Sequence, residues 1–264
     1  SVDGSMTVEV AADLSLNTDA VLGGFDITVA PTATLTLTAV QASGRTIDGE
    51  VSEEGTGSVT VTSLGDAAYD FSGITGGKLV AFVEDEAVFL SPVTNLGTFG
   101  IQLTNGNNVP GEAFSLTLTA DQADGLVIED GDDIGNVTIT GVTAATDLTG
   151  IDVGGAITAG IVSDTDIRNT TSLANVTNYD VASGIFLTLT AAQTEGKLIG
   201  GAGNVTVTNL GTGPVDLSGI TVDGVKTLQV VDSLLVNPAT NLDGFQISVA
   251  PTTTLTLTDR KSVV

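Results

Sequence analysis

Leu187-Thr-Leu-Thr190 and, eighteen residues after its start, Val205-Thr-Val-Thr208 decide the fold. Each places apolar side chains at alternate positions and hydroxyls between them, the period-two pattern of a β-strand with one buried and one wet face. Thr is β-branched and tolerates an exposed strand surface, so the hydroxyl positions do not argue against strand. The segment between them, Ala191-Ala-Gln-Thr-Glu-Gly196, predicts at most one helical turn closed by Gly.

The same block recurs along the chain. Leu-Thr-Leu-Thr starts at Leu35, Leu116, Leu187 and Leu255, at offsets of 81, 71 and 68 residues. Gly57-Ser-Val-Thr-Val-Thr-Ser-Leu64 aligns with Gly135-Asn-Val-Thr-Ile-Thr-Gly-Val142 and Gly203-Asn-Val-Thr-Val-Thr-Asn-Leu210. Asp70-Phe-Ser-Gly-Ile74 aligns with Asp147-Leu-Thr-Gly-Ile151 and Asp216-Leu-Ser-Gly-Ile220, and Gly24–Thr34 reappears as Gly244–Thr254. The expectation is one elongated repeat array over 1–258. It holds about three repeats, near 21–96, 97–175 and 176–243, with partial repeats at both ends. Gly200-Gly-Ala-Gly-Asn204 and Asp130-Gly-Asp-Asp-Ile134 read as turns between strands.

Two all-β folds fit this pattern. In an elongated β-solenoid, a parallel β-helix-like array, successive strands coil and stack, and about a dozen coils would account for the chain. The alternative is a string of small β-sandwiches. The steps from Leu-Thr-Leu-Thr to the Val-Thr block, 24, 21 and 18 residues, suit coils, although their inequality counts against a constant coil. The absence of Trp, only 4% aromatic residues and few Pro or Ser linkers also favour the solenoid.

Composition limits the chemistry. The 264 residues carry 32 Asp+Glu against 7 Lys+Arg, a formal charge of −25, with no His and no Cys. There is consequently no imidazole base, thiol nucleophile, thiolate metal site or disulfide. The negative charge argues against nucleic acid and anionic membranes as partners. No apolar run reaches the ~20 residues of a membrane span. The scattered cations, Arg45, Lys78, Arg168, Lys197 and Lys226, do not form the basic cleft needed to cleave acidic polysaccharides, and no carboxylate pair departs from the repeat as a glycosidase pair would. The reading is therefore not an enzyme.

Residues Leu187–Gly196, Gly203–Leu210 and Asp216–Ile220 together resemble a β-strand repeat of very large secreted bacterial surface proteins, adhesin-like, RTX-type or S-layer-like. The resemblance covers most of residues 21–258. It implies bacterial origin, export, an extracellular or cell-surface location and a structural or adhesive role as a spacer or stalk segment. Separately from the resemblance, the internal repeat makes neighbouring repeats of a parent chain the expected partners, with a surface glycan as a further candidate, and open strand edges predict end-to-end self-association. The family's calcium nonapeptide, Gly-Gly-x-Gly-x-Asp-x-apolar-x, is approached by Gly200-Gly-Ala-Gly-Asn-Val205, which departs from it at the sixth position.

The alternative to a spacer is a binding module for calcium, glycan or ice. Calcium takes several converging oxygens, and the densest acidic turn offers Asp130, Asp132 and Asp133 beside Glu129 as candidate ligands; Glu84-Asp-Glu86 and Asp164/Asp166 follow. The competing reading of these carboxylates is solvated turns. Thr-x-Thr pairs such as Thr36/Thr38 and Thr206/Thr208 would suit an ice lattice only if they stacked on nearly every coil. The last six residues, Asp259-Arg-Lys-Ser-Val-Val264, interrupt the pattern and match one reading frame of a common sequencing adapter, so 259–264 are expected to be a non-native tail.

Overall fold

A computed structural model describes residues 6–104, 113–131, 134–242 and 244–257. The tail at 259–264 lies outside these residues. The chain is a β-solenoid: its strands are short, and those that pair across coils run parallel and in register. The sandwich alternative falls on this point. The one antiparallel pair among the described strands is a local hairpin, Val51–Ser52 with Gly55–Thr56.

Alternation produces the core. In strands Thr34–Thr38 and Ser58–Thr62, Leu35, Leu37, Val59 and Val61 point inward and are 0–1% exposed, while the Thr side chains are half-buried on the outer face. Each buried Leu or Val contributes roughly 1.5–3 kcal/mol. Parallel in-register pairing then lays like upon like, Leu35 on Val59 and Leu37 on Val61, so the core is a stack of aliphatic rungs.

The chain divides into two compact bodies. The first comprises Ser1–Leu118, Gln122–Val137 and Gly150–Gly155. One of its sheets orders Thr7–Val10, Asp26–Val29, Ile47–Gly49 and Ile74–Thr75; a second runs from Leu14–Ser15 through Thr34–Thr38, Ser58–Thr62, Leu79–Val83, Gly100–Leu103 and Ile128–Glu129 to Ile151–Asp152. Tyr69, Phe71 and Phe99 fill its core with ring centroids 5.7 and 5.4 Å apart. The second body comprises Thr119–Asp121, Thr138–Thr149 and Ala156–Val264. In it Ile157–Ile161, Asn178–Val181 and Leu198–Gly200 form one ladder. Thr165–Asp166, Phe186–Thr190, Asn204–Thr208, Lys226–Val230 and Phe245–Val249 form another, and Leu234–Val236 pairs with Leu255–Leu257.

The sequence repeat is not a whole number of coils. In the first body, three steps up the second sheet lead from Thr34–Thr38 through Ser58–Thr62 and Leu79–Val83 to Gly100–Leu103. The next Leu-Thr-Leu-Thr is not that strand but the one after it, Ala113–Thr119, which pairs with Ala87–Phe89 in a different sheet. The second body repeats this: three steps lead from Phe186–Thr190 to Phe245–Val249, and the fourth Leu-Thr-Leu falls one strand later, in Leu255–Leu257. One repeat is three coils plus one strand.

The unequal coil lengths also have a local cause. Leu35 pairs with Val59, 24 residues on, whereas Leu187 pairs with Val205, 18 on. In the longer coil the extra residues fold back as the Val51–Thr56 hairpin, closed by Gly57 N–H donating to Glu50 C=O at 3.0 Å, and the strands on either side stay in register.

Candidate functional site

The recurring polar residues meet at the corners where the chain is not strand. Each Leu-Thr-Leu-Thr runs into a four-residue helix: α1 (Ala39–Ala42), α2 (Ala120–Ala123) and α3 (Ala191–Thr194). Gly44, Gly125 and Gly196 end them at φ of 68–70°, as the sequence predicts. In α1 the Thr38 hydroxyl accepts from Gln41 N–H at 3.2 Å and the Gln41 Oε1 accepts from Thr38 N–H at 3.0 Å, a capping box. Thr190 and Gln193 repeat it in α3.

The other end of each Gln reaches the coil before. Gln41 Nε2 donates to the carbonyls of Asn17 and Ala20, Gln122 Nε2 to Ser91 and Thr94, and Gln193 Nε2 to Ile167 and Thr170. Two cations do the same work just beyond the helix. Arg45 donates to the carbonyls of Gln41, Leu22 and Gly23, and Lys197 to those of Ala174 and Val176. Burial pulls the Lys197 ammonium below the usual lysine range.

The coil after the helix brings Asp-x-Ser/Thr-Gly-Ile. Asp70, Asp147 and Asp216 accept from the N–H of Ser72, Thr149 and Ser218 at 2.9–3.0 Å, fixing the turn. The side-chain hydrogen bond from that same Ser or Thr, then its backbone N–H, holds each carboxyl below the usual aspartate range. The Gly that follows lies against the preceding coil. A Cβ on Gly73, Gly150 or Gly219 would overlap the carbonyl oxygen of Arg45, Leu126 or Lys197. That closeness lets Ile47, Ile128 and Ile199 N–H donate to the three glycine carbonyls at 2.9–3.1 Å.

Of the candidate calcium ligands, Asp130 is buried. Its Oδ2 accepts from Gly135 N–H at 2.7 Å and Gly154 N–H at 2.6 Å, tying its turn to the next coil. Asp132 and Asp133 lie outside the described residues. Glu129 stands opposite Asp152 on the neighbouring strand. Among the described residues no group of three or more acidic side chains converges as a metal cage would require. Asp166 chelates Arg168, with Nη2 to Oδ2 at 2.6 Å, and that hydrogen bond lowers the carboxyl and raises the guanidinium. Asp164 accepts from Phe186 N–H, and Glu84 from the Ser63 hydroxyl.

The Thr-x-Thr pairs do not build a tall lattice. Thr36 and Thr38 stack on Thr60 and Thr62, but the next strand in that sheet, Leu79–Val83, turns Val80 and Phe82 outward. Thr206 and Thr208 lie on Thr188 and Thr190, and Thr227 with Gln229 follows. Paired Thr-x-Thr rows are therefore two rungs high, and Thr227 extends only one of the two columns to a third.

A groove of about 450 Å³ in the second body is lined by Arg168, Asn169, Thr171, Tyr179, Gln193 and Lys197. Its cations are committed to Asp166 and to backbone carbonyls. Burial pushes the Tyr179 hydroxyl up to about 12. The sequence shows the helix turns and the recurrence of the Asp70, Asp147 and Asp216 motif but not that this motif is a turn, nor the role of Gln41, Gln122 and Gln193; the signal was their fixed place three residues after the strand-ending Thr.

Comparison with protein families, with curated proteins and with solved structures finds no match for this chain.

Proposed function

We propose that this chain is a non-catalytic spacer or stalk segment of a large bacterial extracellular or cell-surface protein. One observation carries the reading. The Gln that recurs with the repeat joins coil to coil: Gln41, Gln122 and Gln193, with Arg45 and Lys197 in two of the repeats, hold carbonyls of the preceding loop. A binding or catalytic surface keeps its recurring polar groups for a ligand; a load-carrying array uses them to join one layer to the next. The acidic exterior keeps neighbouring chains apart by charge.

Pulling the chain between two handles tests this. A spacer extends in cooperative steps at forces that are the same in calcium and in chelator, and a glycan array run in parallel stays blank. Selective glycan capture, or unfolding forces that rise with calcium, would replace the spacer by a binding module.

A further inference from the structure

We infer that the groove in the second body binds a small organic carboxylate, whose oxygens are held by free donors of Arg168, Asn169, Tyr179 and Lys197. The inference goes beyond the spacer reading and does not depend on it. The groove, of about 450 Å³, is of the size that takes a ligand with a carbon body and is larger than a lone ion needs. Its lining holds two of the chain's seven cations and none of its 32 acids. On an otherwise acidic chain, that gap is where an anion meets least repulsion.

The lining keeps donors in reserve. Asp166 takes Nε and Nη2 of Arg168, which leaves both N–H groups of Nη1. The Lys197 ammonium donates to the carbonyls of Ala174 and Val176 and keeps a third N–H. Asn169 is exposed, and its side-chain amide has no hydrogen bond among the described residues. Tyr179 is 4% exposed, yet its hydroxyl is unpaired among the described residues and is not sealed from solvent. Burial keeps that hydroxyl protonated at neutral pH, so it serves as a donor. A largely buried donor without a partner carries a desolvation cost that a ligand oxygen relieves.

These donors stand where this stretch departs from its own repeat. Ile27 and Ile247 come eight residues before Leu35 and Leu255, and Tyr179 comes eight before Leu187. Ile27 is buried at that place, so core packing alone does not call for a hydroxyl. The corner differs as well. Between the two carbonyls that Gln41 clamps lie Thr18-Asp19; Gln122 spans Pro92-Val93, and Gln193 spans Arg168-Asn169. The clamp is common to all three corners, and the cation and amide beside the groove belong to one.

Titrations followed by NMR amide shifts test the inference, at neutral pH and constant ionic strength. The probes are acetate, succinate and benzoate, with benzamide as the uncharged match of benzoate and inorganic phosphate as an oxyanion without a carbon body. Benzoate or succinate is expected to shift amides of residues 167–174 and 190–197 saturably, and benzamide and phosphate to bind about tenfold more weakly or not at all. Tyr179→Phe, which keeps the ring, and Arg168→Gln each lower the affinity of the bound carboxylate about tenfold. Lys78→Gln, the same loss of charge in the other body, leaves it unchanged. No saturable shift with any of the three carboxylates, benzamide or phosphate binding as tightly as benzoate, or an affinity that neither Tyr179→Phe nor Arg168→Gln lowers would overturn it. Should Arg168→Gln melt far below the native chain, Asn169→Ala at the exposed turn takes its place.

Discussion

Gln41 donates its side-chain amide to the carbonyl oxygen of Asn17, 2.8 Å away and one coil earlier, while its own Oε1 caps the helix at Thr38. Both ends of one side chain are used, so truncation frees groups in two layers at once. Gln41→Leu keeps the volume and leaves part-buried carbonyls without donors, at a cost of about 1–3 kcal/mol. A circular-dichroism melt should fall by roughly 2–10 °C. Gln193→Leu should match it, since Gln193 binds Thr190, Ile167 and Thr170 in the same manner.

Glycine at 73, 150 and 219 is required by closeness, not by backbone angle. Gly150→Ala forces Leu126 C=O away from the incoming methyl and breaks the Ile128–Gly150 hydrogen bond. The expected loss exceeds about 2 kcal/mol. Gly211→Ala, where a Cβ meets open space, should be neutral or stabilise by up to about 0.5 kcal/mol. Equal effects at the two sites in chemical denaturation would refute the close-packed corner.

Thr32 and Thr252 hold φ of 68° and 74°, a region that a β-branched residue enters at a cost of roughly 1–2 kcal/mol. Gly184 occupies the matching position before the third Leu-Thr-Leu-Thr at φ 78°. Thr32→Gly should therefore stabilise the chain by about 1 kcal/mol, read as a higher denaturation midpoint with an unchanged slope.

Asp130 should matter whether or not calcium is present. Its Oδ2 takes two backbone N–H groups, so Asp130→Ala leaves both unsatisfied and should cost about 2–4 kcal/mol. The native melt is expected to coincide in millimolar calcium and in excess chelator. A calcium-dependent rise that Asp130→Ala abolishes would make this residue a ligand.

Acid should act through the three Asp turns. Their folded pKa values lie below the ordinary 3.8, so the stability they contribute is complete above that value and is lost as pH falls through the lower folded ones. Asn in place of Asp70, Asp147 and Asp216 keeps the acceptor and removes the charge. The gap in melting temperature between native and triple variant should be constant from pH 7 to about 5 and close below about 3.8.

Strands and turns were legible because alternation is a local signal: Leu35-Thr-Leu-Thr and Val59-Thr-Val-Thr state their own burial. The helix turns were legible from Gly44, Gly125 and Gly196. What connects coil to coil was not, because Gln41 and Asn17 are 24 residues apart and nothing in their immediate neighbourhoods marks them as partners. The unequal coil lengths looked like irregular stacking until the Val51–Thr56 hairpin placed the surplus outside the ladder. Asp130 read as a solvated turn residue or a metal ligand, and its burial against Gly135 and Gly154 follows from tertiary structure alone.

The odd strand left over after every three coils has a genetic consequence. Recombination between like repeats adds or deletes one full sequence period, and each such event advances every later motif to the following sheet. Gene length thereby acts as a dial: an array that gains a single copy carries its later Gln-clamped corners on a different sheet than before, with no substitution anywhere in the chain.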